Sequence, residues 1–129
     1  MLAQRNKVID IVLLEENLQL RNNISSRFRT QGLSVDAPSG GFHSIKVLEE
    51  NQVNAIILCS DMDDMSWHEV ATIVRSMPSP QGQVAIFLYT SEAISAESIK
   101  IIKELRVNGI FAAKDFSKLA DAVQNLSKI

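Results

Sequence analysis

A single cysteine, Cys59, cannot close an internal disulfide. The only two histidines, His43 and His68, lie 25 positions apart with no cysteine beside them, which excludes the ligand spacings of a structural zinc site. Both read as helix-surface residues. Proline and glycine are scarce, at three and five residues, so the chain is neither low-complexity nor fibrous. Long hydrophobic runs are missing: stretches such as Ile11 to Leu14 and Ala55 to Cys59 are strand-sized and far too short to span a bilayer. No basic stretch followed by an apolar one opens the sequence. An excess of either charge is missing too. Thirteen basic residues against 15 acidic ones give a formal net charge of −2, which leaves no electrostatic footprint for nucleic acid or an anionic membrane. A cytoplasmic domain that touches neither is expected.

What is present is enough apolar material to fold. Hydrophobic residues make up 46% of 129 residues, the size of one compact domain with its own core, and residues 1–129 are read as one such domain. Short apolar runs alternate with stretches whose apolar residues recur every three or four positions. Ile9 to Leu14, Ala55 to Cys59 and Val84 to Tyr89 are nearly continuous in apolar residues, as in strands buried on both faces of a parallel sheet. Leu33 to Ala37 and Gly109 to Ala113 supply two weaker strands. Between them, helical stripes run through Leu20, Ile24 and Phe28; Ile45 and Leu48; Val70, Ile73, Val74 and Met77; Ile99, Ile102 and Leu105; and Leu119, Val123 and Leu126. Gly32 is placed to end the first helix, Pro38 to Gly41 to form a connection, and Pro78 to Gly82 to lead out of the third helix. Five strand–helix pairs in strict alternation predict an α/β fold, a doubly wound parallel sheet with right-handed crossovers.

In such a sheet the functional site lies beyond the carboxyl ends of the strands, near the point where strand order reverses. The strands end in Glu15 and Glu16, in Cys59, in Thr90 and Ser91, and in Lys114. These side chains are expected to converge on one shallow pocket, a plausible place for a divalent cation and a phosphoryl group.

From Lys7 onward these segments resemble, in order, the CheY-like receiver domains of two-component response regulators. Val12 to Asn17 (VLLEEN) resembles the family's first strand with its acidic pair, and Gln31 to Val35 (QGLSV) the turn into the second. Ala55 to Met65 (AIILCSDMDDM) resembles the phosphorylation segment, with Met62 and Met65 three and six positions after Cys59. This spacing puts Cys59 on the phosphoacceptor position. Phe87 to Ser91 (FLYTS) supplies the switch threonine Thr90, and Asn108 to Phe116 (NGIFAAKDF) the switch aromatic Phe111 and the lysine Lys114. The resemblance implies a flavodoxin-like (βα)5 sheet of order 2-1-3-4-5 and a role in bacterial signal transduction.

Four departures bear on the phosphorylation chemistry. Glu15 and Glu16 replace aspartates, moving the carboxylates one methylene outward. Cys59 cannot form an acyl phosphate, and a neutral thiol is a poor ligand for magnesium. Asp63 and Trp67 stand where the family has proline and glycine, reshaping the loop above the pocket. Asp115 replaces the proline after the lysine, so a trans peptide is expected there.

Several residues admit two readings. Cys59 is either a small buried hydrophobe or a redox group, with Glu15 and Glu16 opposing its thiolate and Lys114 favouring it by a similar amount. Glu15 and Glu16 either balance Lys114 and the helix dipole or retain magnesium, the one metal the resemblance implies. Thr90 closes a strand end and Phe111 fills core unless the pocket above them changes occupancy. Trp67 is a lid or a partner anchor. Asp61 and Asp63 are substitute phosphoacceptors only under a shift in register that would lose the alignment of Met62 and Met65.

The expected function is therefore a phosphorylation-independent interaction module, a pseudo-receiver without enzymatic activity of its own. The family's partner face corresponds to Ile94 to Arg106, Gly109 to Ala113 and Phe116 to Ser127, with Lys100, Lys103, Arg106 and Lys118 beside Glu97 and Glu104. A homodimer through the fourth and fifth helices is compatible with this face, although no residue specifies it. The alternatives are a receiver phosphorylated on Asp61 or Asp63 and a redox-responsive domain using Cys59. A flavodoxin-like cofactor binder is disfavoured, because Glu15, Glu16 and Asn17 occupy the place of a phosphate loop and carboxylates repel phosphate.

Overall fold

The computed structural model describes residues 8–126; Lys7, Ser127 and the other terminal residues lie outside it. Five strands, β1 (Val8–Leu14), β2 (Val35–Asp36), β3 (Gln52–Leu58), β4 (Ala85–Thr90) and β5 (Gly109–Ala112), alternate with α1 (Leu18–Thr30), α2 (Gly41–Glu50), α3 (Trp67–Arg75), α4 (Ala96–Glu104) and α5 (Phe116–Asn125). All pairings are parallel, in the order β2-β1-β3-β4-β5. The fold is the expected flavodoxin-like doubly wound sheet.

Alternate side chains of the strands feed two cores. Ala55 and Ile57 of β3 and Ala85, Phe87 and Tyr89 of β4 pack with Ile24 and Phe28 of α1 and with Leu119 and Val123 of α5. Ile56, Leu58, Ile86 and Leu88 pack on the other face with Leu48, Val70, Val74 and Ile102. Each fully buried aliphatic side chain contributes about 1.5–3 kcal/mol of transfer free energy. The central strands are therefore fixed by packing on both faces.

Some sequence expectations need correcting. Leu20, Ile73 and Ile99 continue the helical stripes in sequence but lie outside the core, Leu20 being 52% exposed. The second strand was expected over Leu33 to Ala37, yet only Val35 and Asp36 join the ladder. Leu33 is instead buried within the turn, its N–H bonded to the Phe28 carbonyl. That turn is closed by Gly32, whose positive φ of 85° is the left-handed conformation glycine adopts most easily after a helix. Gly41 belongs to α2 and not to the connection before it; a Cβ there would lie 2.8 Å from that of Met65.

Candidate functional site

The strand order reverses between β1 and β3, and their register pairs Leu14 with Leu58. The residues that follow, Glu15 and Cys59, therefore stand side by side at the switch point, with the Cys59 N–H bonded to the Leu14 carbonyl at 2.9 Å. Glu15 is buried. Its Oε2 accepts the Asn17 N–H at 2.9 Å and the Ser60 hydroxyl at 3.2 Å. Ser60 Oγ accepts the Glu16 N–H in turn at 3.1 Å, so one hydroxyl stitches both glutamates to the end of β3. Burial, and secondarily the Glu15 charge, push the Cys59 thiol far above the ordinary cysteine range.

Beyond Ser60, bonds between carboxylates and backbone amides tie the acidic loop to its neighbours. Glu16 Oε1 accepts the Asp63 N–H at 3.0 Å, and Asp61 Oδ1 accepts the Trp67 N–H at 2.9 Å at the start of α3. Asp64 accepts the Gly41 and Phe42 N–H groups at 2.8 and 3.1 Å. Gly40, the N-cap of α2, has no side chain to offer, so a carboxylate from another loop performs the capping. Those two amides hold the Asp64 carboxyl below its ordinary value.

The expected single pocket is divided. Cys59 and Thr90 line one cleft with Ser60, Asp61, Trp67 and Glu92, whereas Glu15, Glu16 and Lys114 do not line it. Lys114 is exposed on a short 3-10 turn, Ala113–Asp115, and joins neither glutamate in an ion pair. Its expected support for a Cys59 thiolate is absent from the forces that set the thiol. The turn itself is tied down by Tyr89, whose hydroxyl donates to the Ala113 carbonyl at 2.7 Å. Phe111 is half-buried and meets Phe87 edge to face at 5.8 Å. His43 is exposed as expected, but His68 is half-buried, its ring packed against Trp67 at 3.8 Å. The sole cis peptide among the described residues is Ser79–Pro80, so the bond from Lys114 to Asp115 is trans.

These residues fit magnesium poorly. Both glutamates already accept hydrogen bonds, and the neighbouring group is a protonated thiol. Among the described residues, no three His, Cys, Asp or Glu side chains gather into a metal-holding group.

Sequence reasoning missed Ser60, Asp64 and Arg75. Only Asp64 left a trace, because Gly40–Gly41 starts a helix without a cap of its own and so requires one from elsewhere. Arg75 of α3 donates to the carbonyls of Gly82, Val84, Leu105 and Arg106 and to Asn108 Oδ1. It fastens the loops at the starts of β4 and β5.

No protein-family model matches the chain, and no curated protein matches it in sequence. Solved structures do. Chemotaxis response regulator CheY4 of Vibrio cholerae superposes with a TM-score of 0.75 at 19% identity, over 91% of this chain and 99% of that one. A response regulator receiver protein from Pseudomonas putida gives 0.79 at 15% identity, over 93% and 97%. A two-component response regulator from Legionella pneumophila gives 0.74 at 18% identity, over 91% and 98%. At such identities the likeness is one of architecture, and the architecture is that of the CheY-like receiver domain.

Proposed function

We propose that the chain is a signal-transduction module of a two-component or phosphorelay pathway that docks protein partners without being phosphorylated. One observation carries the reading: the side chain beside Glu15 at the switch point is the half-buried Cys59 thiol, whose pKa is pushed up by desolvation. Acyl phosphate formation needs a carboxylate there. The same shift argues against the redox alternative, since the thiolate is the reactive form. Asp61 is turned toward the Trp67 amide, which weighs against its use as a substitute acceptor. Asp63 contributes its N–H, not its carboxylate, to the contact with Glu16.

Such a module catalyses no reaction, requires no magnesium and works in the cytoplasm. Its docking face is α4, β5 and α5. Of the α4 residues only Ile102 is buried, while Ile99 and Ile110 are 43% and 45% exposed, and Lys100, Lys103 and Lys118 of α4 and α5 are exposed as well. Exposed apolar and charged residues on one set of elements suit a protein partner. Switching, where it occurs, comes from a partner that prefers one conformation over another.

The test is a ¹⁵N spectrum of the chain with and without beryllofluoride and Mg²⁺, which mimic an acyl phosphate. The reading predicts unchanged resonances around Cys59 and Thr90. Saturable shifts there would identify a working receiver.

A further inference from the structure

The cleft that starts at Cys59 runs between the N-terminal ends of α3 and α4 and encloses about 240 Å³, less than the ~300–1,000 Å³ of a site for a drug-sized ligand. Buried Leu58 and Leu88, with Ile94, form its floor. Trp67 forms an aromatic wall, and exposed Asp61 and Glu92 stand at the rim. No lysine, arginine or histidine lines it. The Trp67 ring meets the His68 ring edge to face, and the Trp67 backbone N–H donates to Asp61 Oδ1. That bond uses one oxygen of Asp61, and Glu92 joins no ion pair among the described residues.

An apolar floor, an indole wall and two uncompensated carboxylates at the rim complement one kind of group: a cation on a flexible apolar stem. We infer that the cleft receives an arginine side chain from the partner protein, with the methylene stem over Leu88 and Ile94 and the guanidinium against Trp67 and the carboxylates. Arginine suits the site better than lysine because its planar head stacks on indole while its edge donates to carboxylate. The inference rests on the reading that the chain docks protein partners, and it adds a contact at the edge of the proposed face, since of α4, β5 and α5 only α4 reaches the cleft, through Ser98. It also gives Trp67 a use as the wall of a receptor, where a glycine would leave the cleft open.

Trp67 is the only tryptophan, so its fluorescence reports the cleft directly. The whole chain is titrated with N-acetyl-arginine methylamide, and with the citrulline analogue as an uncharged control of nearly the same shape. Expected are a saturable millimolar response to the arginine compound, none to citrulline, and binding about fivefold weaker or more in Glu92→Gln. Asp61→Asn keeps an acceptor for the Trp67 amide and should weaken binding as well, with unchanged far-ultraviolet circular dichroism. No saturable response, an equal response to citrulline, or variants that bind like the natural chain would overturn the inference. The titration needs neither the partner nor a phosphoryl mimic, so its failure leaves the beryllofluoride result standing, and the reverse also holds.

Discussion

Glu16 Oε1 accepts the backbone N–H of Asp63 at 3.0 Å, which joins the turn after β1 directly to the loop after β3. Asp61 and Asp64 bind amides of α3 and α2 in the same manner. The acidic face at the carboxyl end of the sheet is thus organised by carboxylate-to-amide bonds.

Asp64 should therefore matter for stability more than its surface position suggests. Asp64→Ala leaves two N–H groups of α2 without their acceptor and should cost about 1 kcal/mol, read as a lower urea midpoint. The sign with pH follows from the lowered pKa. The contribution is present in full above the ordinary aspartate value of about 3.9 and is lost as pH falls through the lower folded value. The gap between the natural chain and the variant should accordingly narrow below about pH 4, and a gap that widens there would contradict the assignment.

Cys59 should react slowly. Near neutral pH, iodoacetamide is expected to modify it at least about tenfold more slowly in the folded chain than in urea. Glu15→Gln should raise the folded rate only modestly, because burial is the larger cause of the raised thiol pKa. A folded rate equal to the unfolded one would revive the redox reading.

Arg75 supplies the strongest single test of the fold. Arg75→Ala leaves four carbonyls and the Asn108 amide oxygen short of a donor, and should cost about 2–4 kcal/mol in denaturant unfolding. Arg75→Lys should recover little, since an ammonium cannot span the acceptors a guanidinium reaches. A near-neutral alanine variant would mean that the loops before β4 and β5 are held by other contacts.

The sheet was legible in the sequence because its central strands are buried on both faces and must be apolar throughout, as Ile56 to Leu58 and Ala85 to Tyr89 are. Edges and surfaces were less legible. Leu20 and Ile99 carry the correct period yet face outward, because periodicity marks a stripe without saying whether anything packs on it. In the site, the placement of Cys59 at the end of β3 followed from the apolar run that ends there. The division of the pocket did not, because it depends on side-chain direction: Lys114 follows β5 on an exposed turn that Tyr89 ties down. Long-range partners such as Asp64 with Gly41, or Arg75 with Leu105, carry no local signal.

The central claim is that this receiver fold carries no phosphoryl group, and intact-mass measurement after incubation with a small-molecule phosphodonor and Mg²⁺ tests it most directly, with Cys59→Asp run alongside. The account predicts no mass gain for the natural chain; gain by the variant alone would trace the block to residue 59, and no gain by either would extend it to the surrounding carboxylates. One stable phosphoryl group on the natural chain, at Asp61, Asp63 or Cys59, would contradict it.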